Sequence, residues 1–175
     1  MTDHAESGRI PIVLSSHPAT GRGPALSELE FGLVIAGHAF KRWTEQCMAV
    51  AGAAADLSVT DAMVLLYLMH GTRARRLMDI GCFLNIEDIH VVKYAISKLC
   101  KHGLARADER AEEAAYMPTR KGRALGRRYR QVREQVLVSA VATQGTQAFE
   151  LVEFGFGLRM LSTLYDQAAR TATDM

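Results

Sequence analysis

Residues 77–122 read LMDIGCFLNIEDIHVVKYAISKLCKHGLARADERAEEAAYMPTRKG, and the placing of apolar and basic positions within them decides the fold. From Ile86 to His102 the apolar residues Ile89, Val92, Ile96 and Leu99 recur at three- and four-residue steps, the spacing of one buried helical face. Asn85 stands ahead of that stretch as an N-cap, with Asp88 three residues on to reach back to unpaired N–H groups. Gly103 follows it, where a left-handed residue ends a helix without strain. The opposite face carries His90, Lys93, Tyr94, Ser97, Lys98 and Lys101. A helix with one apolar side and one basic, hydrogen-bonding side can dock on a core and lie in a DNA major groove.

Working outward, Leu77 to Leu84 predicts a short helix, with Gly81 and Asn85 permitting a tight turn into the longer one. Arg73, Arg75 and Arg76 make a basic connector ahead of it. Leu57-Ser58-Val59-Thr60-Asp61 opens a helix with Ser58 as cap, and Met63, Leu65, Leu66, Leu68 and Met69 supply its core. On the far side of Gly103, Leu104–Asp108 and Ala114–Pro118 predict two short strands around a polar tip. Thr119 then caps a long basic helix running to about Thr143, and Gly145 breaks the chain. A second apolar helix follows over about 146–170, apolar on more than one side and so suited to burial between subunits. Upstream, Ser27 with Glu30 gives a capping-box signature for a helix to about Ala54. At ~1.5 Å per residue such a helix spans roughly 42 Å, too long to bury against one small domain. The chain thus divides into an arm (1–26), an N-terminal dimerisation helix (27–55), a winged helix-turn-helix (56–122) and C-terminal dimerisation helices (123–170). The apolar patch Ile10–Leu14 in the arm either packs on the body or a partner, or belongs to a disordered leader.

The net charge of +2 hides an uneven distribution. Between His90 and Arg133 stand 12 Lys/Arg against 4 Asp/Glu, leaving a net negative remainder. A basic segment on an acidic chain is the footprint of a nucleic-acid face, although a solvated helix produces it too. Three widely spaced cysteines, Cys47, Cys82 and Cys100, argue against a disulfide framework or zinc site and fit a reducing cytoplasm. The six histidines show no metal-ligand spacing, and no run of about 18 apolar residues predicts a membrane span. No nucleophile–base pair, phosphate loop or paired carboxylates point to an enzyme, so neither catalytic residue, metal nor cofactor is expected.

The order helix, helix, short helix, basic helix, wing, long helix resembles the MarR family of bacterial regulators over about residues 28–145. Leu57-Ser58-Val59-Thr60 is similar to the start of that family's second helix. Leu99-Cys100-Lys101-His102-Gly103-Leu104 is similar to its Leu-x-x-x-Gly-Leu before the wing, and Thr119-Arg120-Lys121-Gly122 to its Thr-x-x-Gly after it. The resemblance implies a mainly α fold with a small β-hairpin wing, a two-fold homodimer, a pseudo-palindromic double-stranded DNA operator and release by a small aromatic effector or an oxidant. Two features depart from the pattern, the wing and the Glu87-Asp88 start of the basic helix, whose carboxylates would repel phosphates unless they cap it. The family's Asp-x-Arg motif of the wing falls out of register, with Asp108-Glu109-Arg110 in its place, and the wing tip is acidic through Glu109, Glu112 and Glu113.

Each candidate has a plainer reading beside it. Lys93, Ser97 and Lys101 form one line at i, i+4, i+8, and Lys93 and Lys98 suit phosphates, unless the line is only a solvated face. His90 and Tyr94 sit near the helix start, where base contacts concentrate, while Tyr94 could equally shield the hydrophobic seam. Arg73, Arg75, Arg76, Arg106, Arg110 and Arg120 are candidate backbone clamps or simply polar loop and helix-end residues. Phe40, Trp43, Thr44, Met63, Leu66 and Tyr67 would line an aromatic-ligand pocket or else form ordinary core. Cys100, beside Lys101 and His102, is the one cysteine whose surroundings hint at oxidant sensing. A winged-helix adaptor that contacts protein instead of DNA is the competing function, motivated by the acidic wing tip and by Glu87-Asp88.

Overall fold

Helix α2 (Val59–Leu68) shows how local chemistry starts each element. The Ser58 hydroxyl accepts the Asp61 N–H at 3.2 Å, and the Asp61 carboxylate accepts the Ser58 N–H at 2.8 Å. This reciprocal box satisfies two donors that a helix start leaves unpaired. The computed structural model describes residues 22–145 and 147–175, so the Ile10–Leu14 patch lies outside the described residues. Before α2 comes α1 (Arg22–Val50); after it follow strand β1 (Arg75–Arg76), α3 (Leu77–Leu84), α4 (Ile89–Lys101), β2 (Ala105–Ala107) and β3 (Ala115–Pro118). The chain finishes with α5 (Arg120–Arg133), a π-helical turn (Glu134–Val138), α6 (Ser139–Thr143) and α7 (Ala148–Thr173).

The core lies where α2, α3, α4, α5 and the second half of α1 meet. Leu65, Leu68, Ile80, Val92, Leu99 and Leu125 are buried there almost completely. Val92, Ile96 and Leu99 share one face of α4, as the three- and four-residue spacing requires. From α1 only Thr44, Cys47 and Met48 are buried, all in its last two turns. Helix α7 has no buried residue over its 26-residue length.

Three strands form an antiparallel sheet in the order β1-β3-β2, with Arg75 opposite Tyr116 and Ala105 opposite Pro118. The Thr119 hydroxyl ties the base of this sheet to α5. It donates to the Gly103 carbonyl at 2.6 Å and accepts the Gly122 N–H at 3.1 Å. A Cβ on Gly122 would overlap the Leu104 carbonyl, so the glycine lets α5 lie directly on the wing.

Several boundaries differ from the sequence reading. Asn85 does not cap α4: it ends α3 in a left-handed conformation (φ 53°, ψ 45°), and Asp88 caps α4 by accepting the His90 N–H at 2.8 Å. Asn tolerates that conformation better than most side chains, which is why it serves the turn. Helix α1 includes residues 22–26, assigned from sequence to the arm, because Pro24 falls in a first turn where a missing N–H costs nothing. Ser27 and Glu30 are therefore interior to α1 and cap nothing. The connector holding Arg75 and Arg76 is a strand, since pairing with β3 gives its backbone groups partners. The helix after Thr119 reaches Thr143 but passes through the π-helical turn on the way.

Candidate nucleic-acid interface

Packing Val92, Ile96 and Leu99 inward forces the other side of α4 outward. His90, Lys93, Tyr94, Ser97 and Lys101 are all exposed, Tyr94 to 70% of its surface. That exposure settles the alternative for Tyr94: it does not shield the seam. Ser97 donates its hydroxyl to the Lys93 carbonyl at 2.9 Å, leaving the oxygen to accept from a ligand. Val91 is also exposed, at 42%, on the same end of α4. Sequence spacing left it off both stripes, yet an exposed methyl pair there can meet a thymine methyl.

Lys98 behaves differently from the other lysines of α4. Its ammonium lies 3.0 Å from the Asp61 carboxylate and donates to the Asp56 carbonyl, and its side chain is only 17% exposed. The bond to Asp61 holds Lys98 above the usual lysine range. Asp61 is itself nearly buried, so Lys98 neutralises the carboxylate that caps α2. Its expected role on phosphate gives way to a role inside the body.

Arg75 and Arg76 are likewise engaged within the chain. Arg75 donates to the His70 carbonyl at 2.7 Å and stands over the Tyr67 ring, 5.2 Å from its centroid. Arg76 bonds both Asp79 oxygens, at 3.2 Å and 3.1 Å, and reaches Glu113 of the wing tip at 3.0 Å. Those partners lower the Asp79 carboxyl and raise the Arg76 guanidinium. Arg73 and Arg120 are exposed. On the wing, Arg106 and Arg110 are exposed beside Asp108, whose carboxylate accepts the Arg110 N–H at 3.2 Å. This bond closes a turn at the wing tip. Lys121 donates to the His102 carbonyl at 2.9 Å and so caps the end of α4, a role with no sequence signal beyond its charge.

The six residues expected around an aromatic ligand divide between α1, with Phe40, Trp43 and Thr44, and α2, with Met63, Leu66 and Tyr67. Phe40 is half exposed, Thr44 is buried on α1, and Trp43, Met63 and Leu66 pack against the core. Tyr67 stacks on Phe83 with ring centroids 4.1 Å apart. An apolar groove of about 750 Å³ lies elsewhere, between Leu29 of α1 and Leu151, Phe154, Leu158 and Leu161 of α7. Burial pushes the Cys100 thiol up, opposite to what a reactive thiolate needs. Among the described residues no cluster of three His, Cys, Asp or Glu could hold a metal, and no helix is long and apolar enough to cross a membrane.

A family model described as a winged helix DNA-binding domain matches residues 57–122. No curated protein matches the chain. Among solved structures, a MarR family regulator from Neisseria meningitidis is 17% identical, with 82% of this chain and 95% of that one covered and a TM-score of 0.64. A MarR/EmrR family transcriptional regulator from Acinetobacter sp. ADP1 is 14% identical over 81% of this chain and 96% of that one, with a TM-score of 0.60. Streptococcus pneumoniae FabT, solved in complex with DNA, is 14% identical over 82% and 99%, with a TM-score of 0.58. At these identities the likeness is one of fold, and it runs nearly the whole length of each regulator. Residues 57–122 thus match a winged helix DNA-binding domain, and the chain is similar in fold to MarR family regulators.

Proposed function

We propose that the chain acts as a homodimeric, sequence-specific DNA-binding transcriptional regulator. The observation that carries this reading is α4: Val92, Ile96 and Leu99 anchor it, and His90, Lys93, Tyr94 and Lys101 face outward. Arg106 and Arg110 on the wing are exposed as well. The DNA-bound state of the FabT structure supports the reading, since that protein shares the fold. Dimerisation is supported by α7 and by α1 as far as Phe40. Leu29, Val34, Ile35 and Phe40 on one, and Phe149, Val152, Phe154 and Phe156 on the other, stand exposed where a second copy would bury them.

A two-fold dimer reads a pseudo-palindrome whose half-sites lie about one duplex turn apart. Seated across a promoter it would occlude transcription, so repression is the expected sign, read in a reporter assay with and without the protein. Release by a small aromatic compound completes the reading, with Phe40, Trp43, Thr44, Met63, Leu66 and Tyr67 as the residues whose substitution should alter it. Selection of duplexes from a random pool, followed by mobility shift at several salt concentrations, tests the whole. Six or so phosphate contacts per dimer make a steep salt dependence the expected result. Retention of no preferred sequence at any salt would overturn it.

The second reading, an adaptor that contacts protein, is favoured by the carboxylates occupying Lys98 and Arg76 and by the acidic wing tip. Unchanged affinity for the selected duplex in a Lys93→Ala/Lys101→Ala protein would shift the balance toward it.

A further inference from the structure

Helix α7 touches the DNA-reading body at the turn between α3 and α4. The Asn85 amide donates to the Ser162 hydroxyl at 2.9 Å and to the Asp166 carboxylate at 3.3 Å. Ser162 and Asp166 are one helical turn apart, so both face the turn from the same side of α7. Tyr165, between them in sequence, donates its phenol to the Glu30 carboxylate of α1 at 3.1 Å. One short stretch of α7 therefore grips both the N-terminal helix and the helix-turn-helix.

Asn85 is the one non-glycine residue with positive φ among the described residues. Its backbone ends α3 and turns the chain toward α4, with the Ile86 N–H bonded to the Gly81 carbonyl at 2.9 Å. Glycine would make that turn at least as easily. What asparagine adds is an amide that can reach α7. Only Ile86, Glu87 and Asp88 separate this contact from the start of α4, whose first two turns carry His90 and Lys93. Inside the body, the C-terminal half of α4 is tied by Lys98 to Asp61 and by Lys121 at the His102 carbonyl, whereas its N-terminal end rests on apolar packing, which sets direction less sharply than a hydrogen bond.

We propose that Asn85, Ser162 and Asp166 form a clasp through which α7 sets the aim of the reading helix, making Asn85 a positioning residue for DNA recognition. In the dimer, the clasp converts the fixed geometry of the terminal helices into a fixed separation of the two α4 helices. The proposal rests on the dimeric, DNA-binding reading above. Its motivation is the pairing of an unusual left-handed asparagine with two hydrogen bonds to residues 77 and 81 positions away.

Two variants cut the clasp from opposite sides. Asn85→Gly keeps the turn and removes the amide, whereas Ser162→Ala/Asp166→Ala leaves the turn untouched. In amide hydrogen exchange on the full-length protein, both should speed exchange of residues 85–91 by about tenfold while the core of α2 stays protected. On the duplex selected by wild-type protein, both should weaken binding by about tenfold and blunt discrimination between half-site spacings. The triple variant should bind no more weakly than either parent, because all three changes break one linkage. Unchanged exchange in the α7 variant would overturn the clasp whether or not DNA binds. Faster exchange with unaltered affinity and spacing preference would overturn its positioning role. Wild-type protein that selects no duplex would instead sink the DNA-binding reading, with the exchange measurement still deciding whether the clasp exists.

Discussion

The winged-helix body and the terminal helices use apolar residues in opposite ways. In the body, Leu65, Leu68, Ile80, Leu99 and Leu125 are sealed from water, and a charged group that remains inside has a partner, as Asp61 has in Lys98. In the first half of α1 and in α7, residues of the same types lie open, with Phe154 at 74% exposure. Burial is the main term that offsets the loss of chain entropy, so the body has a core of its own and the terminal helices lack one. The body is closed on its own core, whereas the helices that flank it leave apolar surface that a second copy would cover in the proposed dimer.

The largest effect should come from spoiling those outer helices. Phe154→Glu/Phe156→Glu should give a monomer by analytical ultracentrifugation and reduce affinity for the selected duplex by about a hundredfold or more, as avidity between half-sites disappears. The body should keep its unfolding midpoint in that variant. A double variant that stays dimeric would break the comparison. Next comes a test of the body. Gly122→Ala should destabilise it by about 3 kcal/mol in denaturant titration, since the new methyl meets the Leu104 backbone. Gly126→Ala should cost less, because its obstacle is the flexible Met69 thioether.

A subtler test separates the two kinds of lysine on α4. Lys93→Ala and Lys101→Ala should each lower the slope of log affinity against log salt by about 1 for every phosphate the lysine neutralises. Lys98→Ala should leave the slope alone and lower the melting temperature, because it strands the nearly buried Asp61 carboxylate. An altered slope in Lys98→Ala would return that residue to the DNA surface. The smallest effect concerns pH. The hydrogen bond from His102 holds the Asp56 carboxyl below its ordinary value. A depressed folded value means a contribution present above the unfolded carboxylate range and lost as pH falls through the lower folded value. Asp56→Asn should therefore make the acid limb of the stability curve shallower and lower stability slightly near neutrality. A steeper acid limb in that variant would contradict the assignment.

Much of this was readable in the residues themselves. The apolar stripe of α4, the Ser58–Asp61 box, the Thr119 cap and the breaks at Gly103 and Gly145 all act within a few positions of one another, so sequence order preserves their meaning. The exposed face of α4 followed from the same periodicity, and with it His90, Lys93, Tyr94, Ser97 and Lys101. Lys98 shows where that reading fails. Periodicity places it beside the outward line, but its partner Asp61 stands far earlier on another helix, and only packing brings the two together. Asn85 fails for a related reason: a residue suited to begin a helix is equally suited to end one left-handed, and the turn geometry chooses.

Local sequence, then, determined the helices, the wing and the division of α4 into a buried and a basic side, because helical period and capping are short-range effects. The tertiary structure decided which cations face outward and which are paired inside the chain, and it brought Asn85 to Ser162 and Asp166 across 77 and 81 positions. Pairings of that range depend on how elements pack in space, and spacing along the chain carries no record of them.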